Sequence, residues 1–311
     1  MTATPKRFDI RDVGYQEQAS LSLQTNGAII LTNIFPASGQ SWKDRAVDIP
    51  SLLLSPSKFL LSNHQAAGVH VEHDGLSGLK GKPLLPHSDG YVWGDNYPDL
   101  VILLCEQQSQ GGESYLVDGE RVVARLDQRT VDLLQTAKVD HTERSDTGMA
   151  CGAESVVAVL RWLDVKQCSG SWWSIEQRRL CWRRMVNMDV VFGRKPVDEE
   201  SYVSLWKSLD DEAVDEALFS LDQAILKEDS LAERFQLQSG EALIIDNFRM
   251  LHAREGYNDA GLSLELPQDR RMWRVWSWTE ESNGLPPNVA DEEMPANLAD
   301  AAKAIASSLV H

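Results

Sequence analysis

Cysteine is scarce in this chain: four residues in 311, Cys105, Cys151, Cys168 and Cys181, with no CxxC spacing among them. That excludes a disulfide framework and a thiolate zinc site, and leaves buried or idle thiols as the expectation. Positive charge is also short, with 30 Lys and Arg against 47 Asp and Glu and a net charge of −17. A field of that sign repels phosphate backbones, so nucleic acid is not an expected partner. Cationic and zwitterionic small molecules are drawn in instead, to the extent that salt screening allows. Long apolar runs are missing as well: no stretch approaches the roughly 18 residues of a membrane span. The opening Met1–Phe8 carries no apolar secretory stretch. A soluble cytoplasmic protein with no membrane partner is expected, and nothing in the sequence fixes its oligomeric state.

The apolar content of 42% is ample for a core, and residues 1–311 are read as a single domain, because β-rich barrels and sandwiches often use this much chain as one unit. Residues 15–25 suit a short helix, closed by Asn26-Gly27 before a buried strand over Ala28–Phe35. Residues 36–78 read as loops with brief strands or turns. Leu100–Cys105 reads as an interior strand, Gln110-Gly111-Gly112 as a turn, and Tyr115–Val117 as a return to the sheet. Residues 120–137 and 199–233 look helical, Glu241–Ile245 is a strand turned by Asp246-Asn247 towards another that carries His252, and Glu293–Leu309 is an Ala-rich helix or frayed tail.

The chemistry sits in Pro86-His87-Ser88-Asp89-Gly90, in the distant His252, and in Arg270 and Arg274. Side chains two apart in an extended segment share a face, so His87 and Asp89 can offer an imidazole and a carboxylate to one ion. With His252 as a third ligand, three positions of an octahedral ion stay open, as in non-haem Fe(II) oxygenases. A His-x-Asp triplet alone is weak, since such pairs arise by accident. Val69-His70-Val71-Glu72-His73 has a similar superficial look and is read as a half-exposed strand, and His64 draws no role.

Four ordered stretches strengthen the case: His87-Ser88-Asp89, Gly111-Gly112-Glu113-Ser114, the His252 strand, and the arginines four apart. Over roughly residues 80 to 280 the chain resembles the taurine dioxygenase and clavaminate synthase-like branch of the Fe(II)/2-oxoglutarate-dependent oxygenases. The resemblance implies an α+β fold: a double-stranded β-helix, a jelly-roll and cupin-like core, with flanking helices and a long insertion over residues 138–236 that covers the active-site mouth. It implies Fe(II) on His87, Asp89 and His252, and 2-oxoglutarate held by Arg270 and by Ser114, which stands where the family has threonine. It also implies an acidic substrate group at Arg274. The stretch from His252 to Arg270 is longer than usual, with Gly256–Gly261 as a looser turn, so Arg271 is a rival for the clamp; strand alternation groups Arg270 with Met272 and Arg274 and favours Arg270.

The implied reaction uses Fe(II), dioxygen and 2-oxoglutarate as co-substrate, releases succinate and carbon dioxide, and hydroxylates, desaturates or cyclises an amino-acid-like or carboxylate-bearing small molecule, in natural-product metabolism. Asp89 fills the position that related halogenases leave to a small residue, which favours hydroxylation over halogenation. Two alternatives stay open: a metal-dependent enzyme that does not use 2-oxoglutarate, and a non-catalytic jelly roll that binds a ligand or partner. Trp172, Trp173 and Trp182, beside the arginines of 178–184, are read as packing residues, with a cation–π cage as the rival reading.

Overall fold

A computed structural model describes residues 4–53, 68–72, 83–89, 98–136, 138–140, 156–158, 160–162, 178–180, 212–257 and 270–277. The first half of the described chain runs β1 (Lys6–Asp9), α1 (Tyr15–Asn26), β2 (Ala28–Thr32), α2 (Trp42–Leu53), β3 (Gly68–Glu72), β4 (Leu84–His87), β5 (Leu100–Gln107), β6 (Ser114–Asp118), α3 (Gly119–Val123) and α4 (Gln128–Thr136). It continues with β7 (Lys138–Asp140), β8 (Val156–Ala158), β9 (Leu160–Trp162), β10 (Arg178–Leu180), α5 (Glu212–Asp229), β11 (Ala242–Asp246), β12 (Met250–Arg254) and β13 (Arg271–Ser277).

Two sheets dominate. The larger has the order β1-β2-β11-β5-β13-β3, antiparallel except that β1 runs parallel to β2. The smaller is the antiparallel trio β4-β12-β6. The apolar runs of β5 and β11 are explained by burial on both faces. Ile102, Leu104, Ala242 and Ile244 pack outward against Ala19, Leu23, Ala46, Ile49 and Leu53 of α1 and α2. Their neighbours Val101, Leu103, Cys105, Leu243 and Ile245 pack inward with Leu116 and Met250 of the small sheet. The outer face of the small sheet, Tyr115, Val117, Leu251 and Ala253, is covered by α3, α4 and α5. The result is two facing sheets with helices on both outer sides, the jelly-roll arrangement that the sequence led us to expect. Each fully buried Leu or Ile in these layers contributes about 1.5–3 kcal/mol.

Helix α2 corrects the expectation of loops over 36–78. Ser41 caps it: its hydroxyl accepts from Asp44 N–H at 3.1 Å, while Asp44 Oδ2 accepts from that hydroxyl at 2.7 Å. Pro50 inside the helix hides the pattern from a reading of propensities. The last carbonyls of α2 gain partners from α1, Tyr15 Oη and Gln16 Nε2 to Leu52 O and Ser20 Oγ to Leu53 O. The helix expected over 120–137 is two helices, because Asp127 Oδ1 accepts from Thr130 N–H at 2.7 Å and restarts the chain as α4. Glu228, buried on α5, accepts from Arg125 and pairs with Arg121, which fastens α3 and its following turn to α5.

Within 138–236, β9 pairs with β10 and β7 with β8, and these strands lie beside α3 and α4. Trp172, Trp173, Trp182, His64, His73, Cys151, Cys168, Cys181, residues 199–211, residues 258–269 and the 293–309 segment lie outside the described residues. Cys105 is a buried free thiol, and burial pushes its pKa up to about 12, so it is inert at neutral pH.

The β11–β12 turn holds a carboxyl group under tension. Asp246 Oδ1 accepts from the N–H groups of Phe248 and Arg249, while Oδ2 is buried with no hydrogen-bond partner among the described residues. Burial pushes its pKa up to about 7, against the lowering effect of those two N–H groups and the Arg249 charge. Between about pH 4 and 7 the folded state therefore keeps a proton that the unfolded chain has released, and stability falls as pH rises through that window. The shift corresponds to roughly 4 kcal/mol. Asp246→Asn keeps the accepting oxygen and removes the charge. Denaturant melts of the metal-free protein should show the stability of this variant gaining on wild type steadily from pH 4 to 7 and levelling above; a constant gap across that range would refute the assignment.

Candidate metal centre

His87 ends β4 and stands directly opposite His252 on β12. On β12 the alternation of faces sends Leu251 and Ala253 out to the helices and Met250, His252 and Arg254 in between the sheets. The cross-strand pairing brings the two imidazole centroids to 4.2 Å. Strand β4 stops at His87, so Asp89 is not delivered by continued strand alternation. It is delivered by Asn247: Asp89 N–H donates to Asn247 Oδ1 at 2.9 Å, and Asn247 Nδ2 donates to Asp89 O at 2.9 Å and to Pro98 O at 2.8 Å. The β11–β12 turn thereby grips the backbone of the 87–89 segment. Asn247 was read from sequence simply as a turn residue.

One atom from each of His87, Asp89 and His252 lies within 4.8 Å of the other two, and all three residues are buried, 2%, 6% and 5% exposed. Asp89 Oδ1 faces His87 Nε2 at 3.6 Å and His252 Nε2 at 3.8 Å. His87 Nδ1 is 2.8 Å from Leu85 O, which accepts its proton and leaves the Nε2 lone pair for an ion. Asp89 Oδ2 accepts from Trp276 Nε1 at 2.6 Å and from Arg274 at 3.4 Å. Burial alone would raise the Asp89 pKa, but Arg274, then His252 and His87, and the Trp276 hydrogen bond outweigh it and hold the carboxyl well below the usual range. A carboxylate held towards its ionised form beside two imidazoles is the donor set of a divalent transition metal with open positions. These residues fit ferrous iron.

Facing these residues are the side chains of β13 and of Arg270, the residue before it. Arg270, Met272, Arg274 and Trp276 alternate onto the inner face, while Trp273 and Val275 pack outward. Arg270 is buried at 4% exposure. Arg271 projects outward, bonded to Gln107 Oε1 at 2.6 Å and paired with Glu106 at 3.1 Å. Alternation puts Arg270 and Arg271 on opposite faces, and a bulge with Glu106 as the extra residue on β5 follows between Arg271 and Met272. Ser114, the first residue of β6, is buried opposite Arg254 and shares the inner face with His252.

Gly111 and Gly112 have φ of 81° and 72°, left-handed values that favour glycine. A Cβ on Gly112 would meet Tyr257 at 3.3 Å and Arg270 Cδ at 3.5 Å, so this turn runs against the side chains of both. The structure thus brings Arg270 beside the turn that leads into Ser114, and His87, Asp89, His252, Arg274 and Trp276 into one cluster. Trp276 was missed in the sequence, although its spacing of two from Arg274 places it on the same strand face. His70, read as a strand residue, lies on β3 in register with Arg274.

No curated protein matches the sequence. Among solved structures, asparagine oxygenase (AsnO) aligns with a TM-score of 0.51 at 17% identity, covering 86% of this chain and 84% of that one. The non-heme iron oxygenase OrfP in complex with Fe and alpha-ketoglutaric acid aligns with a TM-score of 0.52 at 14% identity, covering 86% and 80%. OrfP in complex with Fe, succinate and (3S)-hydroxy-L-Arg gives 0.50 at 16% identity, covering 86% and 81%. At these identities the likeness establishes the fold. The sequence itself matches a family profile over residues 3–276, and the chain belongs to the taurine catabolism dioxygenase TauD, TfdA family.

Proposed function

We propose that this chain is an Fe(II)- and 2-oxoglutarate-dependent oxygenase acting on a small amino-acid-like substrate, with His87, Asp89 and His252 as the iron ligands, Arg270 and Ser114 as the co-substrate clamp, and Arg274 as the substrate anchor. The observation that carries the reading is the convergence of two imidazole nitrogens and one ionised carboxylate oxygen at a buried point between the sheets. Bound there, ferrous iron supplies the dioxygen activation that couples decarboxylation of the keto acid to oxidation of a substrate carbon.

The residues supply placement. The Leu85 carbonyl fixes the His87 tautomer, and the ionised Asp89 needs to release no proton when a cation arrives. Arg270, a buried guanidinium, suits the distal carboxylate of a dicarboxylic keto acid, with a hydroxyl at Ser114 as a second donor. Leu116, Met250 and Met272 on the facing sheets keep water from the inner space. Arg274 gives one nitrogen to Asp89, and its Nε has no hydrogen-bond partner among the described residues, which suits an anionic group on the substrate. The similarity in fold to asparagine oxygenase and to OrfP, seen with hydroxy-arginine, supports an amino acid as the substrate class. Natural-product metabolism is the expected setting, and a carboxylate at position 89 leaves hydroxylation as the favoured outcome.

Anaerobic addition of Fe(II) and 2-oxoglutarate should produce the weak visible charge-transfer band of an iron-chelated keto acid, and His87→Ala should abolish it; wild type without a band at saturating reagents would end the proposal. Arg270→Ala should raise the 2-oxoglutarate concentration needed for half-maximal band intensity by on the order of 10- to 100-fold, whereas Arg271→Ala, an exposed pair, should change it by less than about threefold. The reverse ranking would move the clamp to Arg271. In a screen by succinate formation, free amino acids should stimulate turnover, and stimulation confined to compounds lacking a carboxylate would exclude the substrate class.

A further inference from the structure

We infer that Trp276 is a positioning residue for the metal: its indole N–H holds Asp89 Oδ2 so that the carboxylate offers the ion Oδ1 alone. The inference rests on the metal reading above and adds to it a device that sets how many positions the ion has to spare. A carboxylate can ligate through one oxygen or both. With one oxygen and two imidazoles, three octahedral positions remain, enough for a two-point keto acid and dioxygen. With both, one of those positions is consumed.

The two Asp89 oxygens are divided between opposite sides of the site. Oδ1 looks towards His87 Nε2 and His252 Nε2, at 3.6 and 3.8 Å. Oδ2 looks away, 2.6 Å from Trp276 Nε1 and 3.4 Å from Arg274. The indole bond is the short one, at the strong end for a donor facing a charged oxygen. Its geometry is also fixed. Trp276 is 2% exposed, on a strand paired on one side with Val101 of β5 and on the other with Gly68 of β3. The Arg274 guanidinium lies over its ring at 4.6 Å.

The two donors divide the work. An indole has few torsions, carries no charge and cannot titrate, so it holds Oδ2 unchanged across pH and with or without substrate. Arg274 is long, less well placed, and has a further donor for a substrate anion. When that anion draws Arg274 away, Trp276 keeps Oδ2 occupied, and Asp89 does not swing to chelate the ion.

The test uses Mn(II) alone as the probe. Water-proton relaxation reports how many exchangeable waters the bound ion carries, and titration gives its dissociation constant. Two replacements at position 276 are compared: Trp276→Phe, and benzothienylalanine, whose sulfur replaces the N–H in a ring of nearly the same shape. Thermal melts confirm that each is folded. Both replacements should lower the relaxivity at saturation, because Oδ2 then takes a water's place on the ion; a relaxivity that rises, because the carboxylate leaves the ion, would overturn the inference. Unchanged relaxivity in both, whatever the affinity, would overturn the inference and leave the metal site standing. A defect in Trp276→Phe that the benzothienyl isostere does not share would assign the effect to packing and overturn it equally. A wild-type protein that takes up no Mn(II) would overturn the metal site itself.

Discussion

The pairing of β4 with β12 is the constraint on which the site depends. It puts His87 and His252 opposite one another, and a slip of one residue would turn His252 to the helical side and Ala253 inward. What prevents the slip is the distribution of apolar side chains on β12. Leu251 and Ala253 belong to the layer under α3, α4 and α5, and Met250 belongs to the space between the sheets. Hydrophobic burial therefore sets the register, and the register sets the spacing of the two imidazoles.

The third candidate ligand obeys a different rule. Asp89 lies beyond the end of β4, where no ladder positions it, and the Asn247 amide takes over with hydrogen bonds to both its N–H and its carbonyl. The turn that presents Asn247 is shaped by Asp246, whose side chain satisfies two N–H groups while its own burial raises its proton affinity. The cost of burying the Asp246 carboxyl and the order of the site are two sides of one arrangement.

Much of this was legible in the chain. The apolar runs of β5 and β11, the Asn26-Gly27 stop after α1, and the alternation that separates Arg270 from Arg271 follow from periodicity and from glycine's freedom at positive φ, and the structure shows each of them. Motif order along the sequence pointed to His87, Asp89 and His252, which do converge. Helix α2 was not legible, because Pro50 interrupts its pattern and its stability comes from Ser41 capping and from α1 side chains that reach its last carbonyls. Asn247 and Trp276 escaped for a similar reason. Their roles depend on partners 158 and 187 residues away, and neither residue type announces a metal site.

The residues of the candidate centre come from both sheets: His87, His252 and Ser114 from the smaller, Arg274 and Trp276 from the larger. Asp89 is bonded to the larger sheet through its outer oxygen while its inner oxygen turns to the imidazoles of the smaller. The centre is thus a rivet through the sandwich, and whatever fills it pins one layer to the other. Side chains that act as spacers between the layers, such as Leu116, Met250 and Met272, set the length of that rivet, so evolution can retune the centre from within the greasy interior without touching a single ligand.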